Sequence, residues 1–441
     1  MQAILLPCSY HIIESNLLYI YISPLRSFQG WAIIHWETAL QASQFLGFKE
    51  SAPPGKFVVI DMSMDGSGEW QKWDNSSFLG APFIWTTLHN FGGTDGMKGN
   101  LARINSIPSA LQPTTAIGTG FTPEGINQNT LYYELMIAVN FHTAPLTDLT
   151  SFAVLRAHRR YGLLSPGNHT TLAWTLLSHG AYSQDDIAQD GTGVPHLPGY
   201  DTTHFLPDRH TPVPELCLTF QAWGALLAAA ESEVDPTQEP FRYDLVNLGR
   251  EILAQLSTSM SNNFSDALNA HTLDPVRLQQ TGQVYIDLLG DIDALVGTDF
   301  AFLLGPWISA ARKWGEGASD CADMPCTDFY EWNARSQLTT WNPTPYGASV
   351  IPDGPIDYAS KHWAGLISDY YQERAKRVLA QAMYDAAASR PLNLTAVEQL
   401  KATLAYTWTT ATNAYPSEPV GDAVAVSKTM LAKYAPFFSS C

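Results

Sequence analysis

Hydrophobic and polar positions change their rhythm once along the chain. Between residue 25 and about residue 145, apolar positions come in short runs: FQGWAII (28–34), KFVVIDMS (56–63), PFIWTTLHNF (82–91) and TTAIGTG (114–120). Each has the length of a strand, and the runs at 58–60 and 83–85 are continuously apolar, as suits parallel strands covered on both faces. Helix-compatible stretches such as TALQASQFLG and GNLARINSIPSALQ fall between some of them. Strand–helix alternation predicts a parallel sheet or barrel. From about 146 onward the period becomes helical. FRYDLVNLGREILAQL places Phe241, Leu245, Leu248, Ile252 and Leu256 on one stripe, and RLQQTGQVYIDLLGDIDALV, KHWAGLISDYYQERAKRVLAQAMYDA and AVEQLKATLAYTWTTATNAY read the same way. Irregular Pro/Gly-rich stretches at 191–215 and 339–358 interrupt the helices, and loops of that length in a compact domain are functional or mobile.

The pattern predicts an α/β part followed by an all-α part. Four strands do not close a barrel, so the α/β part reads as an open half with an apolar edge. The first residues, up to about 24, are apolar but lack a basic leader region and are broken by Pro7, His11 and Glu14; they read as neither signal peptide nor membrane span.

Composition narrows the partners. Of 441 residues 45% are hydrophobic and 15% charged, with 42 acids against 24 bases and a formal net charge of −18. So negative a surface argues against nucleic acid or an anionic membrane as partner. Among the cysteines Cys8, Cys217, Cys321, Cys326 and Cys441, only Cys321 and Cys326 stand close enough to suggest a local disulfide, and no Cys/His set has zinc spacing. Asn-x-Ser/Thr triplets at Asn75, Asn168, Asn263 and Asn393 lean towards a secretory route.

Polar or aromatic residues stand in or just after each predicted strand: Trp31, then Asp61 and Met62, then His89, Asn90 and Phe91, then Glu124. Barrel active sites are built from the C-terminal strand ends. Glu124 lies in GTGFTPEGINQN, crowded by Gly118, Gly120 and Gly125. The glycine spacing is wrong for a dinucleotide loop, and a carboxylate there would repel a pyrophosphate. GxSxG and HExxH motifs do not occur. An exposed turn Glu is the plain alternative. Isolated carboxylates at barrel strand ends suit glycoside hydrolysis, in which two carboxyl groups stand about 5–5.5 Å apart in retaining enzymes.

FLGAPFIWTTLHNFGGTDG followed by GTGFTPEGINQNTLYYELM resembles the α-N-acetylglucosaminidases of glycoside hydrolase family 89. FRYDLVNLGRE, FLLGPWISAAR, DFYEWNARSQLTTW and IDYASKHWAGLISDYY extend the resemblance from about Gln29 to the C-terminus. The resemblance implies part of a TIM-like barrel over 25–145 and an all-α C-terminal domain over 146–441, with 1–24 unassigned. It implies a retaining enzyme acting on terminal α-linked N-acetylglucosamine in a glycan, in a lysosomal, vacuolar or extracellular setting, without a cofactor. Glu124 takes the nucleophile position. Trp31, Met62, Phe91, Trp341, Ile356 and Tyr358 fall at pocket positions, and His196, preferred to His204, is the expected pocket histidine; Asp61 reads as structural. In the family the acid/base is the Glu of an Asn-Glu pair on an earlier strand, and nothing ahead of Gln29 resembles it. The expectation is a C-terminal fragment that lacks its acid/base, which leaves the activity of this chain alone an open question. The alternatives are a non-catalytic glycan-binding remnant and a structural helical protein with a vestigial barrel half.

Overall fold

The computed structural model describes residues 17–22, 28–33, 42–61, 77–89, 96–112, 114–121, 129–165, 167–183, 214–321, 324–341, 357, 359 and 361–441. Among these, five strands form one sheet: β1 (Leu17–Ile22), β2 (Phe28–Ile33), β3 (Val59–Asp61), β4 (Phe83–Thr87) and β5 (Ala116–Phe121), in the order β2-β1-β3-β4-β5. β3, β4 and β5 are parallel neighbours, with Ile60 opposite Ile84 and Trp85 opposite Thr119. β1 runs antiparallel to both β2 and β3. The four strands expected from the sequence therefore share one direction, and a fifth strand is inserted between the first two. That strand, LLYIYI, comes from the stretch left unassigned by sequence. Its aromatic and β-branched residues favour an extended chain, a signal masked there by overall apolarity.

Helices α1 (Ala42–Ser51), α2 (Leu101–Leu111) and α3 (Thr130–Val139) alternate with β3–β5. The rings of Phe45, Phe57, Phe78 and Phe83 pack at centroid distances of 5.2–6.1 Å and form the core beside β4. The chain enters β4 through a left-handed turn with φ of 42° at Phe78, 51° at Leu79 and 74° at Gly80. Lys49 Nζ donates to the Leu79 carbonyl at 2.6 Å and holds that turn to α1.

The helical part contains α4 (Leu149–Arg160), α5 (Asn168–His179), α6 (Pro214–Ser232), α7 (Glu239–Leu268), α8 (Pro275–Val296), α9 (Leu304–Glu316), α10 (Cys326–Leu338), α11 (Glu373–Ala387), α12 (Leu394–Thr409) and α13 (Ala423–Tyr434). Asp148, Asp274, Asn393 and Asp422 start four of them by accepting first-turn backbone N–H groups, so the helices begin where short polar side chains can satisfy orphan donors. All five residues of the predicted α7 stripe are buried. The helix expected over 361–386 begins later. Gly365 has φ 94°, and a Cβ on it would lie 2.5 Å from the Tyr415 ring. Helical geometry starts with a π-turn at Ile367–Gln372 that leads into α11.

The described residues fall into two compact units. Those up to 89, 103–121 and 133–146 make one; 96–102, 129–132 and everything from 147 onward make the other. The stretches 96–102 and 129–132, downstream of β4 and β5, thus cluster with the helices.

Candidate active site

In the sheet unit, aromatic side chains gather at the C-terminal ends of β4 and β5. His89, buried and with φ 36°, lies edge-on to Tyr133 at 5.8 Å, and Phe121 lies 5.0 Å from the same ring. A Cβ on Gly118 would meet open space, and one on Gly120 only ordinary contact with Thr86 and Ile84. β5 therefore carries little bulk at Gly118 and Gly120, while Phe121 at its end packs on Tyr133.

In the helical unit, the stretch after β4 is fastened by buried charge. Glu251 of α7 is fully buried; its Oε2 accepts from the Met97 N–H at 3.0 Å and its Oε1 from Gln255 at 2.8 Å. Arg250 pairs with Glu251 at 3.3 Å and reaches His362 Nδ1 at 2.8 Å. A buried carboxylate is tolerated when paired and hydrogen-bonded in this way. The stretch after β5 is fastened by Asn129, which joins the Lys98 carbonyl to the Tyr182 hydroxyl, and by Thr130, whose hydroxyl accepts from Arg156 at 2.5 Å.

The third feature surrounds Trp341. Fully buried Arg335 on α10 grips Glu331 Oε1 through Nε and Nη2 at 2.9 and 2.7 Å and donates to the Asn413 carbonyl at 2.9 Å. Arg312 of α9 reaches Glu331 Oε2. Just beyond this rigid helix Trp341 is 49% exposed with φ 50°. Asp357, φ 59°, donates its N–H to the Thr339 carbonyl at 2.6 Å. Thr339 thus has one left-handed residue bonded to it and another two places on in the chain, a backbone state that costs non-glycine residues energy and collects at functional places.

Trp341 is the expected pocket residue whose side chain is described. Trp31 sits within β2 opposite Tyr19. Glu124, Met62, Phe91, His196, Ile356 and Tyr358 lie outside the described residues. The structure brings out three residues that sequence reasoning passed over. Glu251 stood as a charge beside a core stripe. Asn129 closes the segment GTGFTPEGINQN. Asp357 stands between two expected pocket residues. Among the described residues no group of three His, Cys, Asp or Glu side chains is placed to hold a metal ion, and no helix is long and apolar enough to cross a membrane.

Comparison with known proteins gives a consistent picture. Residues 24–143 match the family description "Alpha-N-acetylglucosaminidase (NAGLU) tim-barrel domain", and residues 155–433 match the corresponding C-terminal domain. Human alpha-N-acetylglucosaminidase is 31% identical over 417 residues, covering 92% of this chain and 52% of that protein. A family 89 glycoside hydrolase from Clostridium perfringens in complex with PUGNAc superposes with a TM-score of 0.75 at 22% identity, covering 91% of this chain and 44% of the other. The same bacterium's enzyme in complex with its substrate GlcNAc-alpha-1,4-galactose gives 0.71 at 23%, covering 85% and 41%. These likenesses show the fold: barrel-type α/β elements followed by a helical domain. The chain spans about half the length of the curated relative it matches. With a family match over 155–433 alone covering more than half of its length, the chain belongs to the alpha-N-acetylglucosaminidase family.

Proposed function

We propose that this chain carries the nucleophile and part of the pocket wall of a retaining glycosidase acting on terminal α-linked N-acetylglucosamine. The observation that carries the reading is the place of Glu124. It stands three residues beyond Phe121, where β5 ends, in a parallel set whose C-terminal ends are the chemical end of a barrel. On this reading β2–β5 are later strands of a TIM-like barrel over 25–145. Residues 146–441 are the helical domain, and Trp31, Met62, Phe91, His196, Trp341, Ile356 and Tyr358 contact the sugar.

In the first step a Glu124 oxygen bonds to the anomeric carbon while the bond from that carbon to the aglycone oxygen breaks. The bonding pair leaves with the aglycone. Water then attacks the anomeric carbon, loses one proton to solvent, and releases Glu124 as its carboxylate together with N-acetylglucosamine with net retention. A natural aglycone needs a proton as it departs, which general acid catalysis makes typically 10²–10⁴-fold faster. No residue of this chain is assigned that task.

The test therefore uses 2,4-dinitrophenyl α-N-acetylglucosaminide, whose phenolate leaves without protonation. Release of dinitrophenolate, with a glycosyl adduct on the peptide that contains Glu124, is the expected result. Turnover that survives in Glu124→Ala, or none in the parent chain, overturns the assignment.

The human relative and the two disulfides, Cys217–Cys441 and Cys321–Cys326, support a secretory or lysosomal route, since disulfides persist in oxidising compartments. Asn168, Asn263 and Asn393 are exposed. Enzymatic removal of N-glycans should increase the gel mobility of protein made in its native host; an unchanged band would count against the route.

A further inference from the structure

Asn129 lies five residues beyond Glu124 and is only 5% exposed. Both ends of its carboxamide are in use. Nδ2 donates to the Lys98 carbonyl and, at 3.4 Å, to that of Gly96. Oδ1 accepts from the Tyr182 hydroxyl at 2.7 Å. One side chain thus ties together the stretch after β4, the stretch after β5 and the short 3-10 turn Ala181–Ser183 that follows α5. Met97 lies between the two carbonyls bound by Asn129, and its own N–H goes to Glu251. The 96–98 segment is held from two sides.

The chemistry of the position is selective. A carboxamide offers a donor and an acceptor on one short stem. An aspartate would set a second acceptor against the Lys98 carbonyl, and glutamine is one methylene too long for the same span. Burial raises the Tyr182 phenol far above its ordinary pKa, so the hydroxyl stays protonated and able to donate.

We propose that Asn129, supported by Tyr182, is a positioning residue for the nucleophile segment, setting the spacing between the chain that carries Glu124 and the stretch after β4. This rests on Glu124 being the nucleophile. Displacing a reacting group by about 1 Å can cost on the order of 10²-fold in rate. A positioning residue should therefore act on turnover more than on substrate affinity.

The experiment compares the parent chain with Asn129→Asp, Asn129→Ala and the milder Tyr182→Phe, which keeps the ring. Three readouts are taken: thermal melting, amide hydrogen exchange of peptides covering 96–100 and 122–132, and steady-state hydrolysis of the dinitrophenyl glycoside. The expected result is faster exchange in both peptides, by about tenfold or more in Asn129→Ala, in variants that still melt cooperatively. In the same variants kcat should fall by roughly 10–100-fold for Asn129→Asp and roughly 3–10-fold for Tyr182→Phe, with KM changed less than about threefold. Exchange rates equal to the parent's in folded Tyr182→Phe and Asn129→Ala overturn the tether, whatever the activity. Faster exchange with unchanged kcat overturns its catalytic meaning. A parent chain that neither turns over nor forms an adduct overturns the nucleophile reading instead, while exchange still decides whether Asn129 holds the segment.

Discussion

Arg374 Nη2 lies 2.7 Å from Asp357 Oδ2, and both side chains are largely buried, at 5% and 13% exposure. The guanidinium also lies over the rings of Tyr370 and Tyr371, at 5.0 and 5.3 Å. Burial alone would depress the Arg374 pKa, but the Asp357 charge, the hydrogen bond to it and the neighbouring Tyr370 and Tyr371 together outweigh that and raise it. Asp357 in turn holds the Thr339 carbonyl through its N–H, so the pair secures the left-handed turn beside Trp341.

Breaking one side of a buried pair strands the other charge, at a cost of roughly 3–5 kcal/mol. Arg374→Met should lose stability on that scale. Asp357→Asn should lose less, since the arginine keeps its aromatic contacts. Because the two residues act as one unit, the double variant should be less destabilised than the sum of the singles. Urea unfolding of the four proteins measures this. Strictly additive losses would show that the pair contributes no coupling.

Asp293 of α8 carries an opposite kind of perturbation. Its Oδ1 accepts from the N–H groups of Gly365 and Ser368, at 2.8 and 3.0 Å, and so secures the entry to the π-turn. Burial raises its pKa, with a smaller push from the Asp369 charge, and outweighs the two N–H donors. The native state therefore holds the Asp293 proton more tightly than the unfolded chain, whose reference value is 3.8. The stability from this group is fully present below that value and falls as pH rises through the raised native pKa. Asp293→Asn keeps an oxygen acceptor for both N–H groups and removes the titration. The variant should gain on the parent as pH rises from about 4 to about 7. Urea midpoints that move in parallel over that window would sink the idea.

The sequence disclosed the β-to-α change of rhythm and the α7 stripe because those follow from local periodicity, which a linear reading captures. It gave no view of β1 as an inserted strand, because pairing between Leu18 and both Ala32 and Asp61 is a fact of topology. Glu124 and Trp341 stood out through their motifs. The residues that fasten the surrounding chain did not: Glu251 meets Met97, and Asn129 meets Tyr182, across separations of 154 and 53 residues. Such partners are chosen by packing. The same holds for the cysteines, where five-residue spacing made Cys321–Cys326 visible and left Cys217 and Cys441 looking isolated.

Cys217 of α6 and Cys441, 224 residues apart, form a disulfide with a Cα–Cα distance of 5.4 Å. Beside it Phe220 stacks on Phe438 at 4.1 Å with the rings nearly parallel, so the C-terminal turn is held to α6 by a covalent bond and a ring contact. Closing so long a loop restricts the unfolded chain far more than closing the five-residue spacing of Cys321–Cys326. The long bridge should contribute roughly 2–5 kcal/mol and the short one less. Cys441→Ser should accordingly lower the melting temperature by several degrees, at about 1–2 °C per kcal/mol for a domain of this size. Cys326→Ser should lower it less. Reduction of the parent protein should reproduce the larger shift. If Cys326→Ser proved the more damaging change, local strain at α10 rather than chain restriction would be the dominant effect, and the long bridge would be a consequence of the fold rather than one of its supports.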